Sequence, residues 1–359
     1  VNREKRVLQM TDMLFIFIFA LVLGGVLIWG FRTLPKENWQ VLACVPRLRQ
    51  LNGLWKGINL TYYGFFNAAA CVTGVALIFM LLSSISIPYS GIAAILITML
   101  VICMPSSRLI AGWVEKKPYT LTIGGASFLG IIISPWVIWL TSATLGRWLG
   151  FKIHVISALA AVSIAYSLSE GVGRLACISF GCCYGKPMSE CHPILKIFFY
   201  NFSFTFTGKT KKISYAHGLD GTKVFPIQAI TSVIYCSIGL AALYLFLKGY
   251  YCAAFLLTLF TTQIWRLISE FLRADYRGGG KISAYQIMAI ISILYTVFMP
   301  FIFPVSGAQS ADILVGLKSL WNPLTILFLQ FLWVLSFLYT GISNVTGVDL
   351  SIHVLNDRT

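Results

Sequence analysis

Two arginines occupy stretches whose hydropathy leaves no room for charge. Arg174 lies in Glu170-Gly171-Val172-Gly173-Arg174, and Arg266 lies in Trp265-Arg266-Leu267-Ile268-Ser269-Glu270-Phe271-Leu272-Arg273, two turns before an apolar run ends. A charge at the centre of a membrane helix costs about 2.5–3.5 kcal/mol on insertion scales, so each arginine needs a partner or a purpose. Guanidinium stays charged and forks onto two oxygens of one phosphate, which makes a phosphate-bearing ligand the chemistry these residues suit. Arg266, Glu270 and Arg273 stand at i, i+4 and i+7 and share one helical face, with Glu270 expected to orient Arg266. For Arg273 and Arg277, snorkelling to an interface is an equal alternative. Gly171, Gly173, Gly181 and Gly185 permit close backbone approach beside a ligand, and the other reading, plain helix packing, leaves Arg174 unexplained.

Cys177, Cys182, Cys183 and Cys191, with His192 beside the last, raise the question of a metal or redox site. Adjacent cysteines ligate one ion awkwardly, and apolar surroundings keep a thiol protonated, so small buried packing residues are the default and no metal is expected. Cys182 or Cys183 as a transient nucleophile is the alternative, and a thiol couple with a mobile Cys191 is another. His154, His217 and His353 have no visible partner and read as structural. Nothing in the sequence calls for a cofactor.

The elements that must hold these residues follow from composition. Of 359 residues, 58% are hydrophobic and only 11% charged, against about a quarter charged in soluble domains. Apolar runs recur along the whole chain, which excludes disorder, a coiled coil and a disulfide scaffold. The expected fold is an all-α integral membrane protein of about nine transmembrane helices. They fall near 12–31, 59–83, 87–104, 121–143, 153–181, 226–247, 251–272, 283–303 and 323–343. The run at 153–181 is long enough to be broken or re-entrant. The first run follows a charged start, Asn2-Arg3-Glu4-Lys5-Arg6, and is too long for a signal peptide, so it reads as a retained helix. Val41-Leu42-Ala43-Cys44 looks like a lipobox but is detached from that helix and reads as coincidence.

One connection is large, 185–225, and predicts a small extramembrane head between the fifth and sixth helices. There Phe202-Ser203-Phe204-Thr205-Phe206-Thr207 alternates as a half-buried strand, with a turn at Gly208–Lys212 before Ile213 and Tyr215. The formal net charge of +15 crowds into loops and helix ends, which points to anionic lipid head groups as partner and away from nucleic acid.

Gly173-Arg174-Leu175 through Gly181-Cys182-Cys183-Tyr184-Gly185 resembles the signature stretch of the prolipoprotein diacylglyceryl transferase family, in the form of its divergent members ending in GCCYG. Leu60-Thr61-Tyr62-Tyr63-Gly64 resembles the Tyr-Gly opening the family's first common helix. Gly124-Gly125-Ala126-Ser127-Phe128-Leu129-Gly130 resembles its Gly-Gly-x-Ser-Phe-His-Gly segment. Phe225-Pro226-Ile227-Gln228 is similar to its His-Pro-x-Gln, and Arg266 to Asp275 to its Arg-x-x-x-Glu-Phe-x-Arg-x-Asp.

The resemblance covers about residues 58–303, with an extra helix and basic arm at 1–57, an extra helix and tail at 304–359, and the head inserted at 185–225. It implies transfer of the diacylglyceryl group of phosphatidylglycerol to the lipobox cysteine of a prelipoprotein, with release of glycerol phosphate. It also implies a bacterial inner membrane protein whose active site faces the outer leaflet. Arg174, Arg266, Glu270 and Tyr63 match the family's catalytic positions. Arg174, Arg266, Arg273, Gln228, Ser127, Gly173, Gly181 and Gly185 are the implied substrate contacts. The chain departs from the family where Leu129 and Phe225 replace histidines and where Cys177 and Cys182 replace asparagine and glutamate. A leucine accepts no proton, so the phosphate-holding half of the site is better preserved than the half that activates an acceptor.

Overall fold

The structure, a computed structural model, describes residues 2–115, 123–275, 282–304 and 311–358. Among them are nine helices long and apolar enough to cross a membrane. These are α1 (Asn2–Thr33), α2 (Tyr62–Ser84), α3 (Tyr89–Glu115), α4 (Ile123–Thr141), α5 (Val155–Phe180), α6 (Ile227–Leu247), α7 (Tyr251–Ser269), α8 (Ala284–Ile302) and α9 (Pro323–Gly341). The chain is a multi-pass membrane protein, as its composition predicts. Arg277 lies outside the described residues.

Helix α5 is the axis of the bundle and is continuous, without the break its length allowed. It sits against α2, α6 and α7, and small residues let the backbones close up. A Cβ on Gly171 would lie 2.5 Å from the Cys236 sulfur, and one on Gly239 would lie 2.6 Å from Leu168 Cγ. Serines supply the polar glue: Ser169 Oγ donates to Ala70 O at 2.7 Å, Ser167 Oγ to Tyr235 O at 2.8 Å and Ser232 Oγ to Gly171 O at 2.7 Å.

The helices alternate in direction, so the ends of α1, α3, α5, α7 and α9 and the starts of α2, α4, α6 and α8 gather on one face, opposite the start of α1. The head stands on that face. Its strand β3 is Phe204–Thr205, and the predicted alternation holds from Phe204 on, with Phe204 and Phe206 buried and Thr205 and Thr207 exposed, whereas Phe202 ends a 3-10 turn and is exposed. The expected return at Ile213 and Tyr215 is instead a short helix, Lys212–His217, and β3 pairs antiparallel with β4 (Lys223–Val224). Gly208, at φ +120°, turns the chain early and donates its N–H to Asp220 Oδ1, which leaves Ile213 to plug the end of α5.

Lys211 fixes the head to the bundle. Its side chain is fully buried, and Nζ donates to Ser179 O at 2.6 Å and Leu34 O at 3.2 Å, capping the last carbonyls of α5 and the exit of α1. Burial pulls this ammonium down from 10.5 to about 8, against an upward pull from Glu37. Between those values the unfolded chain keeps a proton that the folded chain has shed, so stability rises with pH across that window. The unfolding midpoint of the wild type should therefore gain on that of Lys211→Met between about pH 8 and pH 10. A difference independent of pH would refute the assignment.

A second surface structure was not foreseen. Strand β1 (Val41–Arg49) pairs antiparallel with β2 (Trp55–Thr61), and β2 pairs antiparallel with β5 (Ile342–Leu350), giving a three-stranded sheet in the order β1-β2-β5. The segment read as a basic arm and the tail after α9 thus join on one strand. Just below, α2 and α9 touch backbone to backbone: a Cβ on Gly64 would lie 2.1 Å from Gly341 Cα, and Thr61 Oγ1 donates to Gly341 O at 3.0 Å.

Candidate active site

A cavity of about 1130 Å³ opens among the head-side ends of these helices, at the upper end of small-molecule sites of roughly 300–1,000 Å³. Its inner part is apolar, with Met99, Ile131, Leu159, Phe255 and Leu259. Among the described residues, its polar part carries five basic side chains, Arg108, Arg174, Lys212, Arg266 and Arg273, against three acidic ones, Glu170, Glu270 and Asp275.

Glu170 is the hub of the polar part. One turn before Arg174 on α5, it takes that guanidinium in an i,i+4 ion pair and also receives Arg266 from α7, whose Nη2 lies 2.9 Å from Oε1 and 3.0 Å from Oε2. Arg266 donates further to Ser127 Oγ on α4 at 2.8 Å and to Tyr166 Oη at 3.1 Å. Ser127 is itself oriented by donating to Gly124 O, and Gly124 comes close to Arg266, as a Cβ there would lie 3.3 Å from Nη1. Two helices, α4 and α5, therefore hold the guanidinium that α7 supplies. Arg174 keeps a buried Nε with no hydrogen-bond partner.

The expectation that Glu270 orients Arg266 is corrected. Helix α7 ends at Ser269 and Glu270 begins a 3-10 turn, which swings its carboxylate to Ser283 Oγ at 3.5 Å while it still lines the cavity. Arg273 is buried and bidentate with Asp275, at 2.8 Å for both contacts, so it does not snorkel. Tyr63 lines the cavity with its ring against Phe180 at 5.3 Å.

Four predicted substrate contacts sit elsewhere. Gln228 is away from the cavity and donates from Nε2 to Cys182 O at 3.0 Å, bracing the loop after α5. Gly173 faces Ala70 across the α2–α5 contact. Gly181, at φ +68°, ends α5 against Lys211. Gly185 passes so close to Phe225 that a Cβ would lie 2.4 Å from its carbonyl oxygen. These glycines serve packing. Phe225, at a histidine position of the resemblance, is buried against Phe199. His217 is not isolated, since Nδ1 is hydrogen-bonded to Tyr184 Oη, and His192 caps the short helix that begins at Pro193.

Sequence reasoning assigned no role to Glu170 or Tyr166. The available signal was an acidic residue four positions before Arg174 inside an apolar helix, a spacing that pairs them. The pairing with Arg266 across 96 residues left no trace in the sequence.

The family model of prolipoprotein diacylglyceryl transferase matches residues 52–302, more than half of the chain. The chain belongs to that family. Membership supports a transferase activity of the diacylglyceryl-transfer kind and a lipid-related partner. The match takes in every charged residue of the cavity and leaves out α1, β1, α9 and β5. No curated protein matches the chain.

Proposed function

We propose that this protein is a phospholipid-dependent transferase. It moves the diacylglyceryl group of phosphatidylglycerol to the lipobox cysteine of a prelipoprotein and releases glycerol phosphate. It works in the bacterial inner membrane with its site toward the outer leaflet. Residues 58–303 form the transferase core carrying the head, 185–225, with 1–57 and 304–359 as additions. One observation carries this reading: Arg174, Arg266 and Glu170 together leave one net positive charge in the wall of a large cavity whose other part is apolar. A phosphodiester with one negative charge and two acyl chains is the complementary ligand.

Arg174 and Arg266 grip the phosphate and stabilise the charge that develops as the carbon–oxygen bond to it breaks. Glu170 holds the two guanidiniums together on one carboxylate. Ser127 and Tyr166 set the orientation of Arg266, and Tyr63 offers a hydroxyl at the cavity wall. A different acceptor, or a lipid-binding role without chemistry, is the second reading, favoured by the leucine at 129 in place of a base.

Incubation of the purified protein with phosphatidylglycerol and a lipobox peptide should yield a diacylglyceryl thioether and free glycerol phosphate, read by mass spectrometry. Glycerol phosphate without thioether points to another acceptor. Neither product, with retained lipid binding, refutes the transferase.

A further inference from the structure

The carboxyl end of α5 closes in a Schellman turn. Gly181, in the left-handed region, donates its N–H to Ile178 O at 3.2 Å, and Cys182 donates its N–H to Cys177 O at 3.0 Å. This motif sets the residue three from the helix end beside the residue following the glycine, a contact that is usually apolar. Here both positions are cysteines. Cys183 then adopts φ +56°, a conformation uncommon for a side-chain-bearing residue, and brings its sulfur to the same spot. The three sulfurs lie within 4.8 Å of one another, and all three residues line the cavity.

Tetrahedral zinc with sulfur ligands at ~2.3 Å sets its sulfurs about 3.8 Å apart, so this cluster reaches metal spacing by a shift of no more than about 1 Å. A disulfide would need a pair at about 2.05 Å, and it would strand the third thiol. The surrounding charge agrees with a thiolate site: Arg174 is within electrostatic reach of Cys177 and Cys183, Lys212 of Cys182 and Cys183, and Arg273 of Cys183. Three thiolates on a dication carry one negative charge; Arg174 and Arg273 already answer Glu170 and Asp275, which leaves Lys212 to offset it.

We propose that Cys177, Cys182 and Cys183 form a three-thiolate site for a thiophilic d10 cation, Zn2+ being the probe of choice, with its fourth position open to the cavity. Adjacent cysteines looked unsuited to one ion in sequence; the left-handed backbone at Cys183 resolves that objection. Three protein ligands with an open fourth position are the arrangement of reactive zinc sites.

The role of the ion rests on the transferase reading above. A thiol entering the open position loses its proton to solvent water, because a coordinating thiol is deprotonated outright. The metal-held sulfur then forms the bond to the glycerol carbon while the carbon–oxygen bond to phosphate breaks, its electron pair leaving on glycerol phosphate. The ion thus does the work that a leucine at 129 cannot.

The test uses the full chain in detergent, reduced and stripped with a chelator, then titrated with Zn2+ against a competing chelator. We expect one ion per chain, sulfur-to-metal charge-transfer bands on Co2+ substitution, and protection of Cys177, Cys182 and Cys183, but not Cys252, from alkylation. Serine at any one of the three positions should weaken Zn2+ by at least about tenfold to a hundredfold, while Cys252→Ser leaves it unchanged. Protection is read on the wild type, so a variant that misfolds does not blunt the result. Failure of the reduced wild type to retain Zn2+, or retention indifferent to the three serine variants, overturns the site. Unchanged thioether formation by the metal-free protein overturns the role. Ion binding without any thioether supports the site and counts against the transferase reading alone.

Discussion

Replacing Glu170 with alanine is expected to lower stability by about 3–5 kcal/mol, the cost of leaving a buried ion pair without one of its members. The cost is at the high end because the carboxylate answers two guanidiniums: Arg174 and Arg266 both close on it, and its side chain is only 3% exposed. Without it, two like charges face each other in an apolar setting. Glu170→Gln keeps the shape and removes the charge, so it should be destabilised by a similar amount. The diagnostic is ligand dependence. If the arginines grip a phosphodiester, phosphatidylglycerol supplies the missing negative charge and should raise the unfolding midpoint of Glu170→Gln by more than it raises that of the wild type. Equal shifts in the two proteins would show that the cluster is a scaffold and not a phosphate site.

Arg266→Ala is the second large effect, with lipid turnover expected to fall by about 10²–10³, the loss typical of removing one preorganised donor to a developing oxyanion. Arg266→Lys should recover little of it. The guanidinium spans Ser127 on one side and Tyr166 and Glu170 on the other, and an ammonium on a flexible stem cannot reach both edges at once. Arg174→Ala should lose a comparable factor, and the double variant much less than the product of the two, because both arginines act on one phosphate and share Glu170. Initial rates of glycerol phosphate release on the four proteins measure this. Independent, multiplicative losses would place the two arginines on different ligands.

The readable part of the fold is the part decided by solvent. Each apolar run from 59 to 343 became a helix within a few residues of the predicted bounds, apart from α3, which continues to Glu115. Length and hydropathy against a hydrocarbon slab leave the backbone one choice. The cost of intramembrane charge singled out Arg174 and Arg266, and both line the cavity. What stayed hidden was pairing at a distance. Glu170 carries no assigned role in the sequence reading, and its bond to Arg266 exists only because α5 and α7 pack together. Glu270 held the position that helical periodicity favours, and the 3-10 turn that removed it has no strong sequence mark. The glycines of the signature were read as ligand contacts, yet Gly185 is required by a carbonyl of Phe225, a neighbour some forty residues on. Cys177 and Cys182 were within reach of local reasoning, since a glycine one residue before Cys182 sets up the turn that joins them.

The sheet above the cavity bears on how the protein is made. Thr340, Ile342, Ser343, Asn344 and Val345 form part of the cavity wall, and the bond from Asn59 Nδ2 to Thr346 Oγ1 spans 287 residues of sequence. A chain leaving the ribosome from its amino end can insert and pack α2 through α8 with β2 lacking one of its neighbours throughout. Contacts of such separation form late, after the loop-closure entropy has been met. The cavity wall is therefore completed after α2 through α8 are in place, by the strand that emerges after α9. Synthesis itself delays a finished site until every element from β2 through β5 has been made.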